Sequence, residues 1–411
     1  MNVRGLVVAG TGCALLAGWA PGCGALDAGG MFEVVPFDTS EPDAVADTSD
    51  SENHSGDGEI RSESTPLFVL KPDARYLVPG GIALRSELAG ASGAFAWVEQ
   101  TPGGDAVAPL IVAWDEPSAA SAPQTFDVPN LRAPRELALS DDWVVYVDDR
   151  FGDRDVFAID RSTGLERAVA RRPGPAQRPA IAGSRVAWAE CPTCVPGDGD
   201  EGMELFELDL AVGGAPTQRT VNAFADGAPA YGTLADGKLA LTWIEGTSTL
   251  RVVAVVAVVG GIDATIDLAA RVGVDHHIGG LALDTGVLAW RPRPVIVNPD
   301  IMFPSDVFAT TVDSQLTVAL TDRIVARPAM SLATPALAGR AAWLEADASV
   351  AGNGPTAPGR VQVASLAGAV VTTEPILGLT GLALGRAHLA FMAPRADNGG
   401  LSDIWVLPLG P

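Results

Sequence analysis

Residues 139–164, LSDDWVVYVDDRFGDRDVFAIDRSTG, combine the local patterns that decide the fold. An Asp-rich turn precedes the apolar run WVVYV, a polar loop follows, and the run DVFAID ends at a second turn. Short runs rich in Val, Ile and aromatic residues between Gly, Asp and Ser turns are typical of antiparallel strands. The stretch therefore predicts two neighbouring strands of one sheet.

Weaker copies of this pattern recur along most of the chain, and each has an aromatic anchor in its central strand. The anchors are Trp97, Tyr146, Trp188, Trp243, Trp290, Trp343 and Phe391. They lie 42 to 55 residues apart. Repeats of this length with about four short strands each are typical of propeller blades. The sequence predicts an all-β fold, a seven-bladed β-propeller of four-stranded antiparallel blades over residues 67–411.

Two segments depart from the repeat. The apolar run at 250–261 is too short to span a bilayer and rich in Val, so we interpret it as a buried strand. Residues 67–78 precede the first copy and have no blade of their own. We expect them to supply the outer strand of the last blade, because an open join would leave an unpaired sheet edge.

Composition excludes one class of partner. Apolar residues make up 47% of the 411 residues, which is ample for a core, and the formal net charge is −23. Nucleic acid is bound through clustered Lys and Arg, so this charge argues against a nucleic-acid-binding protein.

The first 66 residues predict export. Residues 1–22 have a basic start at Arg4, an apolar core and small residues before Cys23, the pattern of a signal peptide. The run Ala20-Pro21-Gly22-Cys23 resembles a bacterial lipobox, which implies lipidation of Cys23; plain secretion is the alternative. Residues 23–66 are rich in acids, Ser, Thr and Gly, and we predict a disordered acidic tether.

The copy at 139–164 resembles the TolB-like (PD40) propeller repeat. The turn 140–142, the strand 144–147, the loop 149–152 and the strand 155–160 with Gly164 match its pattern. The match is fair in the third and seventh copies and poor elsewhere, and the Gly-His and Trp-Asp marks of WD40 repeats are missing. The resemblance implies a periplasmic or surface propeller that binds other macromolecules.

Loop lengths predict where a partner binds. The loops between second and third strands are long, and they share a face with the connections between blades. These loops span 100–109, 191–203, 292–305, 346–359 and 394–402. Long loops on a rigid scaffold are the usual place for binding. The candidate residues on this face are Arg171, Arg172, Arg178, His276 and His277. The first strands, which line the channel, read as apolar and nearly free of titratable groups.

One loop carries both cysteines of a CPTC motif and three acids. Cys191 and Cys194 predict a local disulfide, because no second ligand pair completes a zinc site. Asp198, Asp200 and Glu201 are a weak Ca²⁺ candidate, and we interpret them as a solvated acidic loop. We therefore assign no metal and no cofactor.

These observations predict no enzyme, because no nucleophile elbow or catalytic constellation is evident. The expected protein is an exported, lipid-anchored scaffold of the outer membrane that faces the periplasm or the cell surface, or else is secreted. It is expected to bind a protein or polysaccharide of the cell envelope and to contact the membrane through its lipid alone. A carbohydrate-active lyase or hydrolase and a structural envelope protein are the alternatives, and the oligomeric state is left open.

Overall fold

The computed structural model describes most of the region from 76 to 409. The described residues are 76–77, 84–100, 109–115, 121–171, 174–192, 202–221, 227–246, 252–258, 263–268, 276–294, 307–320, 329–332, 340–346, 358–365, 370–372, 376–377, 381–386, 388–394 and 402–409. They belong to one compact unit, Ser62–Pro411. The predicted signal peptide, tether and Cys23 lie outside them. Within the described ranges, no helix is long and apolar enough to cross a membrane.

The strands of the first three blades follow the chain in order. Blade 1 comprises β2 (Leu84–Gly90), β3 (Ala94–Gln100), β4 (Leu110–Asp115) and β5 (Gln124–Phe126). Blade 2 comprises β6 (Arg135–Leu139), β7 (Trp143–Asp148), β8 (Asp155–Asp160) and β9 (Glu166–Ala170). Blade 3 comprises β10 (Ala176–Ala182), β11 (Arg185–Glu190), β12 (Glu204–Asp209) and β13 (Thr217–Gln218).

The next three blades repeat this arrangement. Blade 4 comprises β14 (Gly227–Thr233), β15 (Leu239–Gly246), β16 (Val252–Val258) and β17 (Asp263–Asp267). Blade 5 comprises β18 (His276–Asp284), β19 (Val287–Pro294), β20 (Phe308–Thr311) and β21 (Thr317–Ala319). Blade 6 comprises β22 (Ala329–Leu332), β23 (Arg340–Ala346), β24 (Pro358–Ser365) and β25 (Val370–Thr372), and β26 (Ile376–Leu377) also pairs with β24.

A composite sheet joins the two ends of the described chain. It consists of β27 (Gly381–Leu384), β28 (His388–Pro394), β29 (Ser402–Pro408) and β1 (Tyr76–Leu77). β1 pairs antiparallel with β29, with Tyr76 opposite Val406 and Leu77 opposite Trp405. This pairing confirms that the segment preceding the first copy supplies an outer strand. The fold is thus an all-β propeller of four-stranded antiparallel blades.

The blade count needs a correction. Six blades consist of consecutive strands, one fewer than the seven predicted, and the remaining sheet is the composite one. The sequence pattern counts central strands, and the last of these, β28, lies in a sheet that borrows its fourth strand from the far end of the chain. A count of repeats is therefore not a count of blades built from continuous chain.

The aromatic anchors hold neighbouring sheets together. All seven lie on second strands and are at most 5% exposed. Trp97 belongs to one buried cluster with Ile404 and Val406 of the composite sheet, and Phe391 belongs to another with Leu344 of blade 6. The composite sheet therefore shares a core with blades 1 and 6. Because each sheet buries its faces only against its neighbours, no blade is expected to be stable alone.

The interpretation of the fourth copy as a buried strand is confirmed. β16 pairs on both sides, and the side chains of its central residues 254–257 are buried. Blades 4 and 5 approach so closely at their inner strands that a Cβ on Gly232 would lie 1.9 Å from the carbonyl oxygen of Leu283. Only glycine is compatible with this spacing.

Arg150 is a buried hub at the end of β7. Its Nε lies 3.2 Å from an Asp148 carboxylate oxygen, and its Nη2 donates to the Tyr146 hydroxyl at 2.9 Å and to the Glu166 carboxylate. Its guanidinium carbon is 3.9 Å from the centre of the Phe157 ring. Asp148 and Arg150 of the copy at 139–164 therefore contribute to packing within blade 2.

Asp148 extends this hub to the connection from blade 1. Its Oδ1 accepts hydrogen bonds from the backbone amides of Ala133 at 2.8 Å and Arg132 at 3.3 Å. Asp148 is fully buried, so its charge depends on these donors and on Arg150. The carboxylate therefore fixes the point at which the chain enters blade 2.

Replacing Arg150 should destabilise the propeller strongly. Arg150→Met leaves the carboxylates of Asp148 and Glu166 without their cation, and we expect a loss of about 3–5 kcal/mol in the free energy of unfolding. Urea unfolding followed by circular dichroism measures it.

The control for this experiment is Arg132→Ala. The Arg132 side chain is 70% exposed and lies 3.8 Å from Asp149. An exposed ion pair contributes less than about 1 kcal/mol, so this variant should resemble the wild type. Equal losses in both variants would contradict the role of Arg150.

Candidate functional site

The sheet topology separates two faces of the propeller. Each inner strand begins, and each second strand ends, on what we call the long-loop face; the turns joining first to second strands lie on the short-turn face. The five long loops attach to the ends of β3, β11, β19, β23 and β28. Most of their residues lie outside the described ranges, but all five points of attachment lie on the long-loop face.

Two of the predicted arginines lie where the chain passes from blade 2 to blade 3. Arg171 is exposed just after β9, and its guanidinium carbon is 3.9 Å from the centre of the Phe151 ring. Phe151 is itself 55% exposed. Arg178 is exposed on β10, and Arg172 lies outside the described residues. The long-loop face thus presents an aromatic ring stacked with a cation.

The histidine pair does not lie in a loop. His276 and His277 are the first two residues of β18, opposite Pro294 and Arg293. Strand pairing therefore extends to the start of this inner strand, at the long-loop face, and the assignment of both residues to a binding face stays a prediction.

Cys191 is buried and disulfide-bonded at the end of β11. Cys194, Asp198, Asp200 and Glu201 lie outside the described residues. The pairing of Cys191 with Cys194 and the weak Ca²⁺ candidate therefore stay predictions. In the described part of the chain, no group of three His, Cys, Asp or Glu side chains is arranged to hold a metal ion.

Sequence reasoning missed a set of bulged residues at the start of the channel. Glu87, Glu136, Arg178 and Ala228 occupy related positions on the inner strands of blades 1 to 4 and have φ values of 51°, 52°, 53° and 50°. The register with the second strand shifts beside each of them. A left-handed backbone is costly for residues other than glycine, and such strain clusters at functional sites.

The bulges connect adjacent blades through hydrogen bonds. The Glu87 Oε2 accepts the backbone amide of Glu136 at 3.0 Å, and the Glu136 carboxylate accepts the amide of Arg178. The Arg178 side chain reaches Gly227 of blade 4. Its Nη1 lies 3.0 Å from the position that a Cβ atom would occupy on this glycine. At two of the four bulges, the backbone amide thus donates to a carboxylate of the preceding blade. We call Glu87, Glu136 and Arg178 the channel mouth.

The channel is not free of titratable groups, contrary to the sequence-based expectation. Glu87 lines a cavity of about 340 Å³ together with the apolar side chains of Leu88, Leu139, Ile181 and Leu382. The sequence does contain a sign of these channel glutamates. The strings SELAG at 86–90 and RELAL at 135–139 both place Glu before Leu-Ala at the same point of the repeat. Only the bulge shows that this Glu reaches the channel.

Tyr231 connects the cavity to a second one of about 200 Å³ toward the short-turn face. Its hydroxyl donates to the Glu207 carboxylate at 2.8 Å, and Arg219 lies 2.8 Å from that carboxylate. Burial, followed by the nearby Glu207 charge, raises the pKa of Tyr231 above its ordinary value. The phenol is therefore a fixed neutral part of the channel wall.

Carboxylates at the long-loop end differ in their surroundings. Burial raises the pKa of Glu87, while the hydrogen bond from the Glu136 amide opposes this shift. Burial raises the pKa of Asp155 to about 6, and the charge of Arg171 offsets part of the effect. Asp155 lies directly opposite Asp148 in the sheet and is 3% exposed.

Comparisons with known proteins identify the fold alone. No family model matches the chain, and no curated protein matches it. An oligogalacturonate lyase from Vibrio parahaemolyticus has a TM-score of 0.56 and 10% identity over 84% of this chain and 96% of that one. The propeller domain of the Trilobed protease from Pyrococcus furiosus has a TM-score of 0.54 and 8% identity over 80% and 94%. TolB from Acinetobacter baumannii has a TM-score of 0.44 and 15% identity over 73% and 68%.

The expectation that the chain is no enzyme is corrected by these comparisons. Structures of the same fold include lyases and peptidases, among them a Pyrococcus horikoshii acylaminoacyl peptidase of which this chain covers 53%. Identities of 8% to 15% leave the presence of an activity open. The absence of a familiar motif was an insufficient reason, because one fold supports many chemistries.

Asp155 makes stability depend on pH. Its pKa is about 6 in the folded protein and ordinarily 3.8, so the folded state binds the proton more tightly. The stabilisation that protonated Asp155 contributes to the folded state is fully present below about pH 4 and is lost as the pH rises through 6. Asp155→Asn should therefore raise the melting temperature by about 2–4 °C at pH 7.5 and change it little at pH 4.5.

Differential scanning calorimetry at both pH values tests this. Asp142→Asn, an exposed change of the same kind on the short-turn face, is the control. A lower melting temperature for Asp155→Asn at pH 7.5 would show that the ionised carboxylate stabilises the fold instead.

Proposed function

We propose that this protein is an exported propeller that binds a protein or polysaccharide partner against its long-loop face. The observation that carries the proposal is the convergence on one face of the channel mouth and all five long-loop attachments. The Phe151–Arg171 stack adds an exposed aromatic and a cation to this surface. A rigid ring that holds varied loops around a cavity is suited to binding.

We further propose that the composite sheet acts as the seventh blade. It shares apolar cores with blades 1 and 6, which supports a ring closed by the pairing of β1 with β29. A closed ring fixes the positions of all loops around the channel. It also covers the sheet edge that would otherwise be open to other strands.

Photocrosslinking tests the binding surface in cells. A photoreactive phenylalanine derivative in place of Arg178 should form adducts, because this exposed position is part of the channel mouth. The same derivative in place of Val212, which is 82% exposed after β12 on the short-turn face, is the matched control. Equal adducts at both positions, or none at 178, would contradict the proposal.

The nature of the adduct separates the candidate functions. Loss of the added mass on protease treatment identifies a protein, and loss on glycosidase treatment identifies a polysaccharide. The fold similarity to oligogalacturonate lyases makes a carbohydrate-active enzyme the second candidate. Cleavage of added oligogalacturonate by the purified chain, with and without Mn²⁺, would favour it.

Export and anchoring are proposals supported by residues 1–66. We propose that residues 1–22 are removed, that Cys23 carries the lipid and that residues 23–66 form a tether to a propeller spanning 67–411. The chain should incorporate radiolabelled fatty acid when expressed in bacteria, and Cys23→Ser should abolish the label. Cys13→Ser, within the same segment, is the control. An unlabelled wild-type chain would contradict lipidation and leave secretion as the route.

A further inference from the structure

Arg171 presents an uncommitted guanidinium at a fixed position on the long-loop face. It follows β9, whose last residue Ala170 pairs with Val156, and its guanidinium carbon lies 3.9 Å from the centre of the Phe151 ring. Stacking on an aromatic ring orients a guanidinium and leaves its in-plane N–H groups open to acceptors. In the part of the chain that the structure describes, the Arg171 side chain donates no hydrogen bond and forms no ion pair. Arg171 is exposed, so a ligand can reach these donors.

The backbone on both sides of the stack is held by hydrogen bonds. In the turn that carries Phe151, the Gly152 amide donates to the Asp149 carbonyl at 3.0 Å. Beyond Arg171, the Ala176 amide donates to the carbonyl of Arg154 at 2.8 Å. A site that is ordered before binding loses less conformational entropy when the ligand arrives.

Charge and shape identify the group that fits the stack. A planar guanidinium donates two parallel hydrogen bonds to a carboxylate, which matches its geometry. Phe151 is 55% exposed, so it also offers apolar surface to the residue next to that carboxylate. Arginine and aromatic residues are the types enriched among the residues that dominate protein interfaces.

Neighbouring acids limit the negative charge that the ligand can carry. The turn with Phe151 also contains Asp149, whose side chain is 30% exposed, and Asp153. A polysaccharide with a carboxylate on every sugar would bring further negative charges close to these acids, which is unfavourable. A peptide can present one carboxylate beside uncharged residues. The turn therefore favours a protein partner over an acidic polysaccharide.

We propose that the Phe151–Arg171 stack binds the carboxylate of one Asp or Glu side chain of a protein partner, with an apolar residue of the partner against Phe151. The inference rests on the proposed function and names the chemical group that the long-loop face recognises.

A buried carboxylate near the stack gives this binding a pH dependence. Asp155 is 3% exposed, and burial raises its pKa to about 6 although the charge of Arg171 lowers it. The other charged groups that face Asp155 are Asp148 across the sheet, Arg150, Asp153 and Glu190. A ligand carboxylate on Arg171 adds a negative charge to this set, so it binds more tightly once Asp155 has taken up a proton. Affinity should therefore rise as the pH falls through 6.

Two dipeptides with blocked ends test the site on the full chain at low salt, by ligand-observed NMR titration. N-acetyl-Leu-Glu-amide should bind at about pH 5 with a dissociation constant on the order of 1 mM. Its side chain stays mainly ionised there, because the ordinary pKa of Glu is about 4.3. N-acetyl-Leu-Gln-amide lacks the charge and should bind about fivefold more weakly. Raising the pH to about 7.5 should weaken binding of the Glu peptide about threefold.

Variants connect the binding to Arg171 and Asp155. Arg171→Gln should weaken binding of the Glu peptide about fivefold and leave the Gln peptide unchanged. Arg132→Gln is the matched control, because it removes an exposed arginine of the same face that lies 3.8 Å from Asp149, and it should change the affinity less than about 1.5-fold. Asp155→Asn should bind the Glu peptide equally at both pH values, which separates Asp155 from the histidines of this face.

Each outcome has one meaning for the inference. Equal binding of the two peptides, or equal weakening by Arg171→Gln and Arg132→Gln, overturns the carboxylate site, and so does tighter binding of trigalacturonate than of the Glu peptide. A pH dependence that persists in Asp155→Asn overturns the coupling to Asp155. Adducts at position 178 with equal binding of both peptides would remove this inference and leave the partner surface in place. A preference for the Glu peptide without adducts would contradict the proposed function and support the carboxylate site.

Discussion

Burial of one sheet face against the next is the interaction on which the whole molecule depends. Each blade has apolar side chains on both faces, and a large aromatic residue of its second strand is buried at the join. A row of such sheets always leaves two faces exposed unless it closes into a ring. The composite sheet shares buried apolar clusters with blade 1 at Trp97 and with blade 6 at Phe391, which supports the proposed closure. The pairing of β1 with β29 adds a contact between distant parts of the chain.

The polar residues of the copy at 139–164 also help to hold neighbouring blades together. Asp148 and Arg150 lie inside the fold, where the arginine neutralises two carboxylates and stacks on Phe157 while the aspartate binds the amides entering blade 2. A buried ion pair of this kind is costly to break but need not add stability over apolar packing. Its value lies in fixing one geometry for the connection between blades, on which the position of the long-loop face depends.

The channel mouth combines strain with electrostatics. Left-handed residues occupy related positions on the inner strands of blades 1 to 4, and the amides of Glu136 and Arg178 donate to carboxylates of the preceding blade. The same bulge brings Glu87 to the wall of the channel cavity. Two contacts between neighbouring blades and a charged channel entrance therefore come from one local backbone feature. Several structures of this fold belong to enzymes, so a charged entrance is compatible with binding and with chemistry alike.

The sequence by itself determined the strands, their antiparallel order, the buried aromatic anchors and the face that carries the long loops. These follow from residue periodicity and loop length, which are local properties. Only the tertiary structure decided that the histidine pair begins a strand, and that Glu87 and Glu136 form part of the channel mouth. A one-residue bulge changes which face a side chain occupies, and the simple alternation of a strand does not indicate where such a bulge lies. The strings SELAG and RELAL share a Glu before Leu-Ala, but only folding in three dimensions gives these glutamates a role.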